Sequence, residues 1–166
     1  LALARGHPHA RIVGVDVSPQ LLAAARARGD NLPNLEFALA DAARWRPADD
    51  FKPQLLISRH GVMFFADPPA AFANFAGFAA ENAGLLFSCF RERGENPFFT
   101  QIGSLIPPPA KPPDRYAPGP FAFAEREHVT AILNDGGWTQ VAFEPFDFAM
   151  IAGAGEAPIA DAVGYF

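Results

Sequence analysis

Nine residues near the start of the chain restrict its fold more than any others: Arg11-Ile12-Val13-Gly14-Val15-Asp16-Val17-Ser18-Pro19. Four of the five residues from Ile12 to Asp16 are apolar or glycine, and the run stops on a carboxylate. A short apolar run closed by an acid reads as a buried parallel strand whose C-terminal end opens on a crevice. Ser18 is placed to cap a helix, and Pro19 suits the first helical position, where a missing N–H costs nothing. The order is strand, acid, helix. In open α/β sheets, ligands sit outside the carboxyl ends of strands, and an acid there can take both hydroxyls of a ribose. Asp16 is therefore a candidate for holding the ribose of a nucleoside-containing cofactor. As a lone acid it reads equally well as a helix cap or an exposed loop residue.

The rest of the chain repeats the pattern. Leu1 to Arg5 reads as a helix tail ended by Gly6 and Pro8, and Pro19 to Arg28 as a helix with Leu21, Leu22 and Ala25 on its buried face. Asn34 to Ala40 reads as a second strand, stopping at Asp41, and Gln54 to Ser58 as a third, followed by Arg59 and His60. Asp67-Pro68-Pro69 starts a helix whose Phe72, Phe75 and Phe78 recur at helical spacing and belong in a core. Leu85 to Phe90 is a fourth strand, Asn96-Pro97 opens a short helix to about Ile106, Glu127 to Asn134 is helical, and Trp138 to Glu144 is a last strand. Residues 107–120 hold seven prolines in fourteen positions, an extended arm over the sheet's carboxyl edge. Strands alternating with helices predict one α/β domain over residues 1–166, a three-layer sandwich with a mostly parallel sheet and helices on both faces.

The totals exclude some functions. A net charge of −5 offers no basic stripe for nucleic acid. The most apolar stretch, Val62 to Ala80, contains Asp67, Pro68 and Pro69, so no membrane span is expected. Cys89 is the sole cysteine, which points to a reducing, cytoplasmic setting and to a buried small apolar residue. His7 and His9 have no Cys, Asp or Glu beside them and read as a solvated turn. His128 reads as a surface residue on its helix. The chain opens on Leu1 within an apolar stretch, as a fragment or a mature product would.

Three strand ends thus carry polar groups on one edge: Asp16, Asp41-Ala42 and Ser58-Arg59-His60. Asp41 follows Asp16 by 25 residues, one helix and one strand. A base beside a ribose held at Asp16 would meet Asp41, whose carboxylate can accept from an exocyclic amine, and the N–H of Ala42, which can donate to a ring nitrogen.

Three runs together resemble class I S-adenosylmethionine-dependent methyltransferases: Val13-Gly14-Val15-Asp16-Val17-Ser18, then Asn34 to Ala42, then the more specific Ser58-Arg59-His60-Gly61-Val62-Met63-Phe64-Phe65-Ala66-Asp67-Pro68. The nearest branch is the small-molecule one that includes ubiquinone/menaquinone-type C-methyltransferases. The similarity continues through Gly84 to Phe90, Glu95 to Phe98 and Pro118 to Ala124, up to Glu144-Pro145. The resemblance implies a Rossmann-like fold, S-adenosylmethionine as cofactor and a small-molecule methyl acceptor. It implies that Asp16 binds the ribose, Val17 flanks the adenine, and Asp41 and Ala42 contact it. Ser58, Arg59 and His60 would line the methionine and acceptor side. His60, the one histidine near that pocket, is the candidate general base; its other reading is pocket wall, and the family often has Phe there. The family's glycine-rich loop is not in this sequence. With sheet order 3-2-1-4-5-7-6, the strand absent with it is the central one, and the resemblance implies one more strand beyond Phe166. Exposed sheet edges would let two copies associate as a homodimer.

Two other readings compete. A methyltransferase-like fold without catalysis would act as a binding partner. A nicotinamide-dependent oxidoreductase also places an acid on a ribose, but Asp41-Ala42 and the lack of a Tyr-x-x-x-Lys pair favour the methyl donor.

Overall fold

The computed structural model describes residues 1–48, 51–105, 107, 114–149, 151 and 155–159. Helix α1 (Ala2–Gly6) leads to strand β1 (Ile12–Asp16), helix α2 (Pro19–Gly29) and strand β2 (Leu35–Leu39). Strand β3 (Leu55–Arg59), helix α3 (Pro68–Phe78) and strand β4 (Gly84–Ser88) come next, then helices α4 (Pro97–Gly103) and α5 (Arg126–Asp135). The helix starts are set by local chemistry. Ser18 Oγ accepts from the Leu21 N–H at 3.2 Å, and Asp67 Oδ1 accepts from the Ala70 N–H at 3.1 Å, with prolines in both first turns.

The strands form two parallel pairs. Strand β1 pairs with β2, Asp16 opposite Leu39; β3 pairs with β4, Arg59 opposite Ser88. Among the described residues no ladder joins the two pairs. The break leaves β1 without a ladder on the side away from β2, and β3 without one on the side away from β4. The flanking bonds show which groups line it. Ile12 N–H donates to Asn34 C=O and Ala40 N–H to Asp16 C=O, so residues 12, 14 and 16 of β1 bond β2. His60 N–H donates to Ser88 C=O and Gly84 N–H to Gln54 C=O, so residues 56 and 58 of β3 bond β4. The backbone groups of Val13, Val15, Leu55 and Ile57 therefore face the break.

The core is centred on Phe72, which is fully buried. Its ring meets Phe75 edge-on at 5.8 Å and stacks on Phe87 of β4 at 5.8 Å. Met63, Phe123, Val129, Ile132 and Leu133 close around it. Gly136 is required here, since a Cβ would lie 2.6 Å from the Cβ of Phe72. The helices cover one face of β3–β4. On the other, Leu55, Ile57 and Leu86 are exposed. The two halves are tied by the loop after β2: Asn74 Nδ2 of α3 donates to the C=O of Ala43 and of Trp45, at 3.2 and 2.9 Å.

The structure departs from the sequence pattern in several places. Trp138 to Glu144 is not a strand among the described residues. Its residues have no neighbouring strand to bond; Trp138 instead packs on α3, its Nε1–H donating to the Phe72 C=O at 2.9 Å. Leu21 is exposed, because only Leu22 on that stretch of α2 reaches the core side. Cys89 lies just past β4, half-buried, with its Sγ 3.5 Å from the Phe123 C=O. His128 is half-buried under Tyr116, ring centroids 3.9 Å apart. Within the expected proline arm, positions 108–113 lie outside the described residues.

Two outcomes test this architecture. Phe72→Ala should lower stability by about 3–5 kcal/mol, read from denaturant unfolding. In hydrogen exchange, the amides of Val13, Val15, Leu55 and Ile57 should exchange well ahead of those of Gly14, Asp16, Leu56 and Ser58.

Candidate functional site

Asp16 ends β1, and its Oδ1 accepts from the Ser18 N–H at 2.8 Å. Asp41, beyond β2, does the same two residues on, its Oδ1 accepting from the Ala43 N–H at 2.9 Å. Each acid thus pins the turn that leaves its strand. Asp16 keeps a second oxygen without a partner among the described residues. The second oxygen of Asp41 lies 4.0 Å from the exposed Arg44 Nε, a weak solvated pair. Register puts Asp41 two positions past Leu39, the partner of Asp16. The acids therefore stand at the same carboxyl edge of adjacent strands. Val17 is exposed beside Asp16, and Ala42 is half-buried beside Asp41.

Ser58, Arg59 and His60 lie at the end of β3, on the other strand pair. Ser58 is half-buried, with its Oγ 2.9 Å from where a Cβ on Gly61 would lie, so Gly61 lets the chain close over it. Arg59 is exposed. His60 turns the chain in the left-handed region, φ 55°, a conformation that costs a side-chain-bearing residue roughly 1–2 kcal/mol. Its ring lies flat on Phe90, centroids 4.5 Å apart and planes within 6°. Its Nδ1 and the nearby Ser88 Oγ are buried without hydrogen-bond partners. Desolvation, helped by the Arg59 charge, holds the His60 pKa below the usual histidine value. Burial pushes the Cys89 thiol upward, so this cysteine is a poor nucleophile.

The site residues fall into two groups, one per strand pair. A cavity of about 260 Å³ lies elsewhere, among Val13, Phe37, Trp45 and Phe51, and touches none of them. Nothing local in the sequence singles out Phe90, Ser88 or Phe148 as neighbours of this edge. Register alone could have found the first two, since pairing Arg59 with Ser88 brings the end of β4 beside His60.

Residues 1–81 match the family described as "Methyltransferase domain". The match covers a little under half of the 166 residues. The match takes in β1, β2, β3 and α3, with Asp16, Asp41 and the Ser58–His60 strand end. Over 78 residues, 47% of the chain, it is 37% identical to a trans-aconitate 2-methyltransferase from Methylobacterium radiotolerans. The matched stretch spans 28% of that relative's length. A solved structure of the N-methyltransferase NodS from Bradyrhizobium japonicum WM9 aligns over 75% of this chain and 58% of its own, at TM-score 0.49 and 17% identity. Among the described residues no helix is long and apolar enough to cross a membrane.

An NMR titration of His60 should give a midpoint below that of an exposed histidine. Removing the neighbouring charge in Arg59→Gln should raise it, and opening the ring's cover in Phe90→Ala should raise it further. Because the folded value is depressed, His60 should favour unfolding as pH falls through the ordinary histidine range.

Proposed function

We propose that this chain takes part in S-adenosylmethionine-dependent methyl transfer to a small molecule. The observation that carries this is the pair of acids, Asp16 and Asp41, at one carboxyl edge of parallel strands within a methyltransferase domain. The residues fit an adenosine. Asp16 has a carboxylate oxygen left over for ribose hydroxyls, Val17 offers an exposed apolar surface beside it, and Asp41 with Ala42 offers an acceptor and a backbone edge for the base. Ser58, Arg59 and His60 stand where the methionine chain and the acceptor would meet.

The cofactor would supply an electrophilic methyl on a sulfonium. The protein's part is to orient the acceptor in line and to exclude water. Where an acceptor must lose a proton, His60, whose pKa burial holds below the usual histidine value, is the candidate to take it. Asp16 and Asp41 hold their turns as well as the ligand, and a useful variant separates these roles. Asp16→Asn keeps an oxygen for the Ser18 N–H but loses the charge. In the full-length protein it should weaken S-adenosylhomocysteine binding about tenfold by titration calorimetry, with little change in thermal midpoint. Unchanged affinity would remove Asp16 from the site.

A further inference from the structure

Asp114 to Pro118 are all exposed, whereas Ala122 and Phe123, just beyond them, are buried in the core. Gly119 stands at the change, its N–H donating to the Met63 C=O at 3.1 Å. The stretch from Asp114 to Gly119 is thus a strap with no side chain sunk into the core, and apolar burial does not hold it down. Charged groups hold it instead. Arg115 Nη2 lies 2.6 Å from Glu92 Oε1 and 2.5 Å from Glu125 Oε1. Tyr116 donates its hydroxyl proton to the other oxygen of Glu125 and stacks on His128, ring centroids 3.9 Å apart. That hydrogen bond holds the Tyr116 pKa above the usual tyrosine value, so the phenol remains a donor. Glu125 is the N-cap residue of α5, yet its side chain makes no capping bond to the helix and is given over to the strap.

Glu92 belongs to a different segment. Asn96 Nδ2 donates to the C=O of Arg91 and of Glu92, at 3.1 and 2.9 Å, which fixes the turn leading from β4 into α4. Arg115 therefore ties the strap to the root of α4 and to the start of α5 at once. The strap's segment and α4 meet again at Phe90. Phe99 of α4 and Phe121 beyond the strap both pack on that ring, at 5.2 and 6.2 Å, and on each other at 5.0 Å. Arg93, next to Glu92, lies over the Phe121 ring at 4.8 Å. Phe90 is also the ring on which His60 lies flat.

Two carboxylates on one guanidinium nitrogen are brought close together, and only the positive charge between them makes that favourable. With that charge screened, the attraction fades; with it removed, the two acids repel. A single exposed ion pair holds little, but here two pairs and a charge-assisted hydrogen bond share one set of atoms.

We propose that Arg115 and Tyr116 form a charge-operated latch. It closes the Asp114–Gly119 strap onto the root of α4 and the start of α5, keeps Phe99 and Phe121 together on Phe90, and opens when the arginine's charge is screened or lost.

Trypsin cleavage of the full-length protein under native conditions, mapped by mass spectrometry, reads each opening at its own bond. Cleavage after Arg115 reports the strap and cleavage after Arg93 the root of α4, with cleavage after Arg28 in α2 as the reference for both. Such cleavage follows the population of the open form. Raising salt from about 0.01 M to about 1 M, which shortens the screening length from roughly 30 to 3 Å, should raise cleavage at both bonds at least about fivefold over the reference. At low salt, Glu125→Gln should raise cleavage after Arg115 by a similar factor. Arg115→Met should raise cleavage after Arg93 at low salt, and added salt should then lower it, because the two acids left behind repel each other. Arg115→Lys should restore the parent's pattern, since one ammonium can meet both acids as one guanidinium nitrogen does. Cleavage after Arg93 that Arg115→Met leaves unchanged, that is equal in the Met and Lys variants, or that salt shifts in the same direction with and without the arginine overturns the latch. Should a variant fold poorly and raise cleavage after Arg28 as well, the parent's salt series decides: no rise over the reference after Arg115 and Arg93 overturns it.

Discussion

The carboxyl edge of this domain hangs from one side chain, Phe72. Its ring joins α3 to β4 through Phe87 and lies against Phe123, and its carbonyl takes the indole N–H of Trp138. One residue thus fastens the helix, the strand pair and the chain after α5 to one another. The end of β4 is set by that packing, and β4 in turn fixes His60 through the bond from His60 N–H to the Ser88 C=O at 3.1 Å. Each step is short and rigid. A helix face packed with phenylalanines is costly to repack, because interiors are as dense as organic crystals. The geometry at His60 is therefore inherited from a core nearly devoid of polar groups, where no buried polar or charged residue is found among those described.

The second constraint is the break in the sheet. Parallel strands are stable when both faces and both edges are covered. Here β1 and β3 each present an edge, and Leu55, Ile57 and Leu86 present a face. Asp16 and Asp41 belong to one strand pair, and Ser58, Arg59 and His60 to the other. The loop after β2, held by Asn74, bridges the two. A ligand spanning both groups would add a second bridge, and by mass action it would stabilise the joined arrangement over any in which the halves part.

Much of this was legible in residues whose effects are local. Ser18-Pro19 and Asp67-Pro68 announce their helices because a cap and a fixed φ act within one turn. Asp16 and Asp41 are visible because each closes an apolar run. The phenylalanines of α3 declare a core by their spacing. What failed was long-range. Trp138 to Glu144 has the composition of a strand, yet a strand exists only where another lies beside it, and composition is silent on that. Phe90 and Phe148 come to lie against His60 through register and through the fold of the segment after α5, which no local pattern encodes. The break itself was legible only through the family's strand order, since neither β1 nor β3 contains a residue that marks its free edge.

The two acids show why a sequence pattern can be right about position and still leave function to argument. Asp16 and Asp41 both spend one oxygen on the amide two residues ahead. A cap needs only an acceptor, and asparagine or serine would serve nearly as well. A carboxylate at both places brings charge that the turns do not use, and two like charges on adjacent strand ends repel unless something between them donates hydrogen bonds. An adenosine presents donors of that kind, ribose hydroxyls to one acid and an exocyclic amine to the other. The surplus charge, rather than the turns it helps to form, is what supports the proposal of a nucleoside site at this edge.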